Sequence, residues 1–157
     1  MQLRNDALRR RQGGLSLLEL MLVVGLVAIL SAIAVPTYRS YQDRAKVAQA
    51  VRDIGDIQQA IERFRTAQMQ LPDDFDAVNR GGLRDPWGNA YIYYDYASGV
   101  SPDPSRRDRN LKPLNTDYDL YSKGKDGASA KQLSRRESED DVVRGLDGSF
   151  IGLGKDF

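Results

Sequence analysis

The 157-residue sequence contains no cysteine and no histidine. Without cysteine there is no disulfide, no thiolate nucleophile and no thiolate zinc site. Without histidine the commonest general base and metal ligand is also missing. The chain is therefore not expected to be an enzyme, and a small folded body built from it needs a staple other than a disulfide. A dominant charge is missing too. There are 23 basic and 22 acidic residues, a net charge of +1, too little to attract a polyanion. No nucleic-acid partner is expected, and no internal repeat is visible.

What is present is uneven. The first 14 residues hold Arg4, Arg9, Arg10 and Arg11 against Asp6 alone. Without them the chain has 19 basic and 21 acidic side chains, a net of −2. From Leu15 to Val35 run 21 residues in which Glu19 is the one charged side chain. About 20 apolar residues match the ~30 Å hydrocarbon core of a bilayer. An acidic residue in such a helix costs roughly 2.5–3.5 kcal/mol at the centre and less near an end, so Glu19 calls for a reason. Positive residues beside a span stay cytoplasmic, which predicts an N-terminus inside and the rest of the chain outside. A secretory signal places its small residues after a short apolar region; here Gly13 and Gly14 come before a long one. That leaves a plain signal anchor or a leader cut on the cytoplasmic side.

The run Gly14-Leu15-Ser16-Leu17-Leu18-Glu19 resembles the type III signal of type IV prepilins and type II secretion pseudopilins. In that pattern a basic leader ends in Gly, an apolar residue opens the mature chain, and Glu stands fifth. Leu15 replaces the usual Phe. The resemblance implies that a prepilin peptidase cuts after Gly14 and methylates the new amine of Leu15. It also implies that Glu19 serves assembly, by meeting the N-terminal ammonium of a neighbouring subunit.

Pro36 ends the apolar run, and proline inside a helix removes a backbone bond and usually kinks it. The helical pattern nevertheless resumes at once. Val47, Val51, Ile54, Ile57, Ile61 and Phe64 recur at three- and four-residue spacings, one face of an amphipathic helix. A single helix from Leu15 to about Gln68 would extend roughly 80 Å at 1.5 Å per residue. Leu71-Pro72-Asp73-Asp74 closes it with turn formers. Asp85-Pro86-Trp87-Gly88-Asn89 reads as a turn whose Trp packs on the core, and Ile92 to Tyr96 as a strand. Residues 98–115, with three prolines and Arg106-Arg107-Asp108-Arg109, read as an exposed, mobile loop. Asp117 to Ser122 form a second strand with Tyr118, Leu120 and Ser122 on one face. The glycine-rich tail around Phe150, Ile151 and Leu153 suits one more short strand.

The Asp85–Asn89 turn with its Tyr-rich strand, then Asp119-Leu120-Tyr121-Ser122 and Gly124-Lys125-Asp126-Gly127, is similar to the major pseudopilin family of type II secretion. Ala90 stands where that family usually has Pro, and the 98–115 insertion is long for it. In that family the turn after the second strand opens a calcium-binding loop. The resemblance implies calcium held by Asp126, Asp140 and Asp141 with the carbonyls of Leu120 and Lys123, Glu139 being a substitute. Calcium favours such mixtures of carboxylate and carbonyl oxygens.

The expected fold is pilin-like α+β: a long N-terminal helix, membrane-spanning in its first half, packed on a small antiparallel sheet with a C-terminal metal-binding loop. The expected organisation is a cleaved basic leader (1–14), a transmembrane and assembly helix (15–35), its amphipathic continuation (36–70) and a periplasmic globular region (71–157). The family resemblance implies a homopolymer that forms a periplasmic filament for protein secretion. Its partners would be the prepilin peptidase, other pseudopilins, the inner membrane and an inner-membrane assembly platform. Two alternatives are a type IV pilin or minor pilin for adhesion, motility or DNA uptake, and a membrane-anchored periplasmic enzyme or receptor.

Overall fold

The sequence dictates one dominant helix, and the computed structural model has it. The structure describes residues 14, 16–98, 105–109 and 111–157. Helix α1 spans Leu17–Gln68. It opens on a side-chain cap: Ser16 Oγ accepts the backbone N–H of Glu19 at 3.1 Å, one half of the pairing that Ser-x-x-Glu sequences favour. Pro36 lies inside it, and in the following turn Thr37 Oγ1 donates to the Ile33 carbonyl at 2.9 Å. The helix ends where Met69 takes the left-handed conformation, φ 58°.

The chain divides into two units, Met1–Tyr41 and Gln42–Phe157. In the first, every described side chain is exposed. Length and composition make this stretch of α1 apolar enough to cross a membrane.

The second unit is built around four antiparallel strands, β1 (Ile92–Asp95), β2 (Tyr118–Ser122), β3 (Val142–Gly145) and β4 (Phe150–Leu153), in the order β1-β2-β3-β4. The register sets Tyr93 opposite Leu120, Tyr121 opposite Val143, and Val142 opposite Leu153. Successive strand side chains point to opposite faces, and the two faces bury different clusters. On one, Ala50, Ile54, Ile57 and Ile61 of α1 meet Tyr91, Tyr118, Leu120 and Val142, with Val47, Val51 and Trp87 packed around them. On the other, Val143 meets Leu114 and Leu133, flanked by Tyr121, Phe150 and Phe157.

This second cluster corrects the reading of residues 98–115 as an exposed loop at 105–106 and 114–115, while Arg109 and residues 111–113 are exposed as expected and residues 99–104 and 110 lie outside the described residues. Ser105, Arg106, Leu114 and Asn115 are buried. The apolar face of a sheet cannot be left in water at low cost, and Leu114 and Leu133 cover it. The long helix and small antiparallel sheet follow the expected pilin-like α+β arrangement, with β3 (Val142–Gly145) an additional strand between the expected second and last ones.

Candidate functional site

Two places hold the residues singled out by the sequence. The first is the start of α1. Leu15 lies outside the described residues; Gly14, Ser16 and Glu19 are described and exposed. Glu19 is in the first turn of the helix, where the N-terminal end of the helix dipole favours a negative charge. Around and beyond it Leu17, Leu18, Leu20, Met21, Leu22, Val23, Leu26, Ile29, Leu30 and Ile33 are all exposed. A continuous apolar surface of this extent is a site of association with lipid or protein.

The second place is the set of turns beside the sheet. Asp85 is buried and organises its own turn: Oδ1 accepts the N–H groups of Trp87 (3.0 Å) and Asn89 (2.8 Å), and Oδ2 accepts the Ser122 hydroxyl at 2.5 Å. Asn89 Nδ2 donates to the Gly124 carbonyl at 2.9 Å. The Asp-Pro-Trp-Gly-Asn turn is therefore tied directly to the Gly-Lys-Asp-Gly turn. Gly124 is required there on two counts. Its φ is +65°, and a Cβ would come within 2.2 Å of the Asp140 carbonyl oxygen. Asp140 Oδ2 accepts the N–H groups of Lys125 (2.7 Å) and Asp126 (3.0 Å). Asp126 Oδ1 accepts the Ala128 N–H at 2.7 Å, and Lys125 Nζ reaches Asp43 of α1 at 2.7 Å.

Asp126 and Asp140 thus share one turn, but Asp141 is engaged elsewhere. It is fully buried, and its Oδ2 accepts from Arg106 Nη2 at 2.5 Å and from Ser129 Oγ at 2.6 Å. Burial pushes the Asp141 carboxyl up, against the opposing pull of Arg106 and Ser129. Leu120 lies within β2 opposite Tyr93, and Lys123 follows the strand. Calcium takes six to eight oxygens, carboxylates among them. Among the described residues no three His, Cys, Asp or Glu side chains come together as a metal group. Asp141 turns its Oδ2 to Arg106, whereas Asp126 and Asp140 hold the Gly124–Gly127 turn.

Two buried arginines went unread in the sequence. Arg106 stands in the segment taken as an exposed loop. Arg144, only 1% exposed, donates to both carboxylate oxygens of Asp117 at 2.8 and 2.9 Å and to Gln58 at 3.1 Å, and lies 3.9 Å over the Tyr118 ring. The signal for Arg144 was present. Two residues after Val142, it shares that residue's face of β3, and a charge on a core face implies a buried partner.

Residues 9–35 match the prokaryotic N-terminal methylation motif. The chain is 31% identical to the type II secretion system core protein G of Pseudomonas aeruginosa over 140 residues, covering 76% of this chain and 87% of that protein. It is 31% identical to core protein G of Aeromonas hydrophila over 104 residues, 53% of this chain and 73% of the relative. The type IV major fimbrial protein FimA of Dichelobacter nodosus is 43% identical, but over 51 residues, 32% of this chain and 33% of its own. No solved structure gives a significant match. Likeness to core protein G extends well beyond the shared N-terminal motif, over most of both chains, and this chain belongs to the type II secretion system core protein G family.

Proposed function

We infer that this chain is a pseudopilin, a structural subunit that polymerises through its N-terminal helix into a periplasmic filament driving type II secretion. The observation that carries the reading is the first half of α1: a fully exposed apolar surface whose one carboxylate, Glu19, stands in the opening turn, five residues after Gly14. In this reading a prepilin peptidase removes residues 1–14 and methylates the amine of Leu15. Residues 15–35 then hold the subunit in the inner membrane, with its body in the periplasm. On assembly the ammonium at Leu15 meets Glu19 of a neighbour. Opposite charges at that point offset the cost of keeping a carboxylate ionised in a low-dielectric surrounding.

Glu19→Ala tests the pairing. Cleavage should be retained, as read by the mass of the N-terminus, while filament assembly falls to background. Normal filaments from that variant would overturn the role of Glu19. A pilus subunit is the second reading, supported by the fimbrial relatives, although their similarity is limited to about a third of the chain. Deleting the gene separates the two: loss of exoprotein secretion supports the pseudopilin, and loss of surface pili with secretion intact supports the pilin. A structural role also accords with the lack of histidine and cysteine. A membrane-anchored enzyme or receptor would keep residues 1–14, so the same N-terminal mass distinguishes it.

A further inference from the structure

A fully buried carboxylate such as Asp141 needs a charged partner, and here an arginine side chain supplies it. Arg106 is 2% exposed and Asp141 fully buried, with Nη2 and Oδ2 at 2.5 Å. Arg106 Nη1 donates to Ser129 Oγ at 2.7 Å, and Ser129 Oγ donates to the same Asp141 oxygen at 2.6 Å. The three side chains form a closed ring joining residue 106, the loop after the Gly124–Gly127 turn, and the start of β3. The guanidinium also lies 4.1 Å over the ring of Tyr121.

The backbone around Arg106 is equally committed. Its N–H donates to Asp119 Oδ2 at 2.7 Å, and its carbonyl accepts the Leu114 N–H at 2.7 Å. The adjoining Arg107 bridges to the loop, with its N–H on the Lys131 carbonyl at 2.9 Å and its carbonyl on the Leu133 N–H at 3.0 Å. Segment 105–109 is thus a strap fastened to the loop on one side and to the sheet on the other. A guanidinium is always charged and offers a planar fork suited to buried carboxylates. A covalently attached charge, unlike a bound ion, cannot dissociate.

We propose that the guanidinium of Arg106 is the internal cation of the 123–141 loop, standing in for the calcium that the family resemblance implies, so that the body folds without bound metal. A divalent ion at Asp141 would lie beside a like charge, which disfavours it strongly in a buried setting. Asp141 Oδ2, the oxygen such an ion would share, is already held by Arg106 and Ser129. The insertion that carries Arg106 thereby acquires a purpose. The proposal concerns the body alone and holds whether or not the chain polymerises, so its failure is distinct from failure of the filament reading.

The test is thermal unfolding of the full chain in detergent micelles, followed by Trp87 fluorescence and circular dichroism, in millimolar calcium chloride or in EGTA. The wild-type midpoint should agree within about 1 °C between the two. Arg106→Met should lower it by roughly 10 °C, because breaking one side of a buried pair leaves an uncompensated charge. Arg106→Met/Asp141→Leu should regain more than half of that loss. Calcium raising the wild-type midpoint by about 3 °C or more overturns the proposal, as does an unchanged midpoint in Arg106→Met. If the single variant does not fold, a folded double variant supports the pairing. If neither folds, the wild-type comparison alone decides.

Discussion

The two halves of α1 are the same secondary structure with opposite requirements. Up to Tyr41 its described side chains are all exposed, Leu17 and Leu18 at 77% each. From Gln42 onward Ala50, Ile54, Ile57 and Ile61 are completely or almost completely buried. Fully burying an isoleucine contributes about 1.5–3 kcal/mol, so the second half is a main support of the body. The first half contributes no such burial within the chain. Its apolar surface, long enough to cross a membrane, is one that lipid or other protein would cover. The difference shows that periodicity, rather than hydrophobicity, marks the part of a helix that folds its own domain. The more apolar half is the one with no internal partner.

The comparison breaks most sharply at Arg144, which links the body half of the helix to the sheet through Gln58, Asp117 and Tyr118. Arg144→Met should cost about 3–5 kcal/mol by leaving Asp117 without its partner. Urea unfolding in micelles, read at Trp87, measures that loss; membrane insertion of the same variant should be unchanged. The next contrast is internal to the helix. Ile57→Ala should destabilise the body by about 2–5 kcal/mol, whereas Ile33→Ala should leave the unfolding curve in place and weaken self-association instead. Equal effects in both assays would dissolve the distinction.

The smallest effect concerns pH. The Tyr91 phenol donates to Asp53 of the helix at 2.8 Å, and burial, together with that carboxylate, pushes its pKa well above the usual tyrosine range. Unfolding frees the phenol to ionise near its ordinary value of about 10. This stability is fully present below pH ~10 and is lost as pH rises toward the folded value. Tyr91→Phe should cost about 1 kcal/mol at neutral pH and flatten the alkaline limb of the stability profile. A limb of unchanged steepness would assign it to other groups.

Much of the fold could be read in advance because it rests on local pattern. The stripe from Val47 to Ile61, the Tyr-rich strand at Ile92 and the alternation at Tyr118 and Leu120 each follow from the period of one element. The Asp85 and Gly124 turns were visible as turns, although not their tie through Asn89 and Ser122. The second face of the sheet was not legible. Leu114 and Leu133 lie in stretches whose average composition is polar, and composition does not reveal which apolar side chain is used. Arg106 was hidden for the same reason. A charge becomes a core residue only through a partner, and Asp141 is 35 residues away.

The cap at the start of α1 has a consequence for the form of any assembly. Ser16 fixes Glu19 in the first turn, four residues along the sequence from the amine freed if the chain is cut before Leu15. Were the helix to continue back to that amine, at about 1.5 Å per residue, a parallel subunit whose amine meets its neighbour's carboxylate would be displaced along the axis by roughly one helical turn. Between parallel copies displaced in this way the pairing is not mutual. Each contact leaves one amine and one carboxylate unspent at opposite ends. Such an interface is heterologous, and unless the rotation closes a ring it propagates as an open helix.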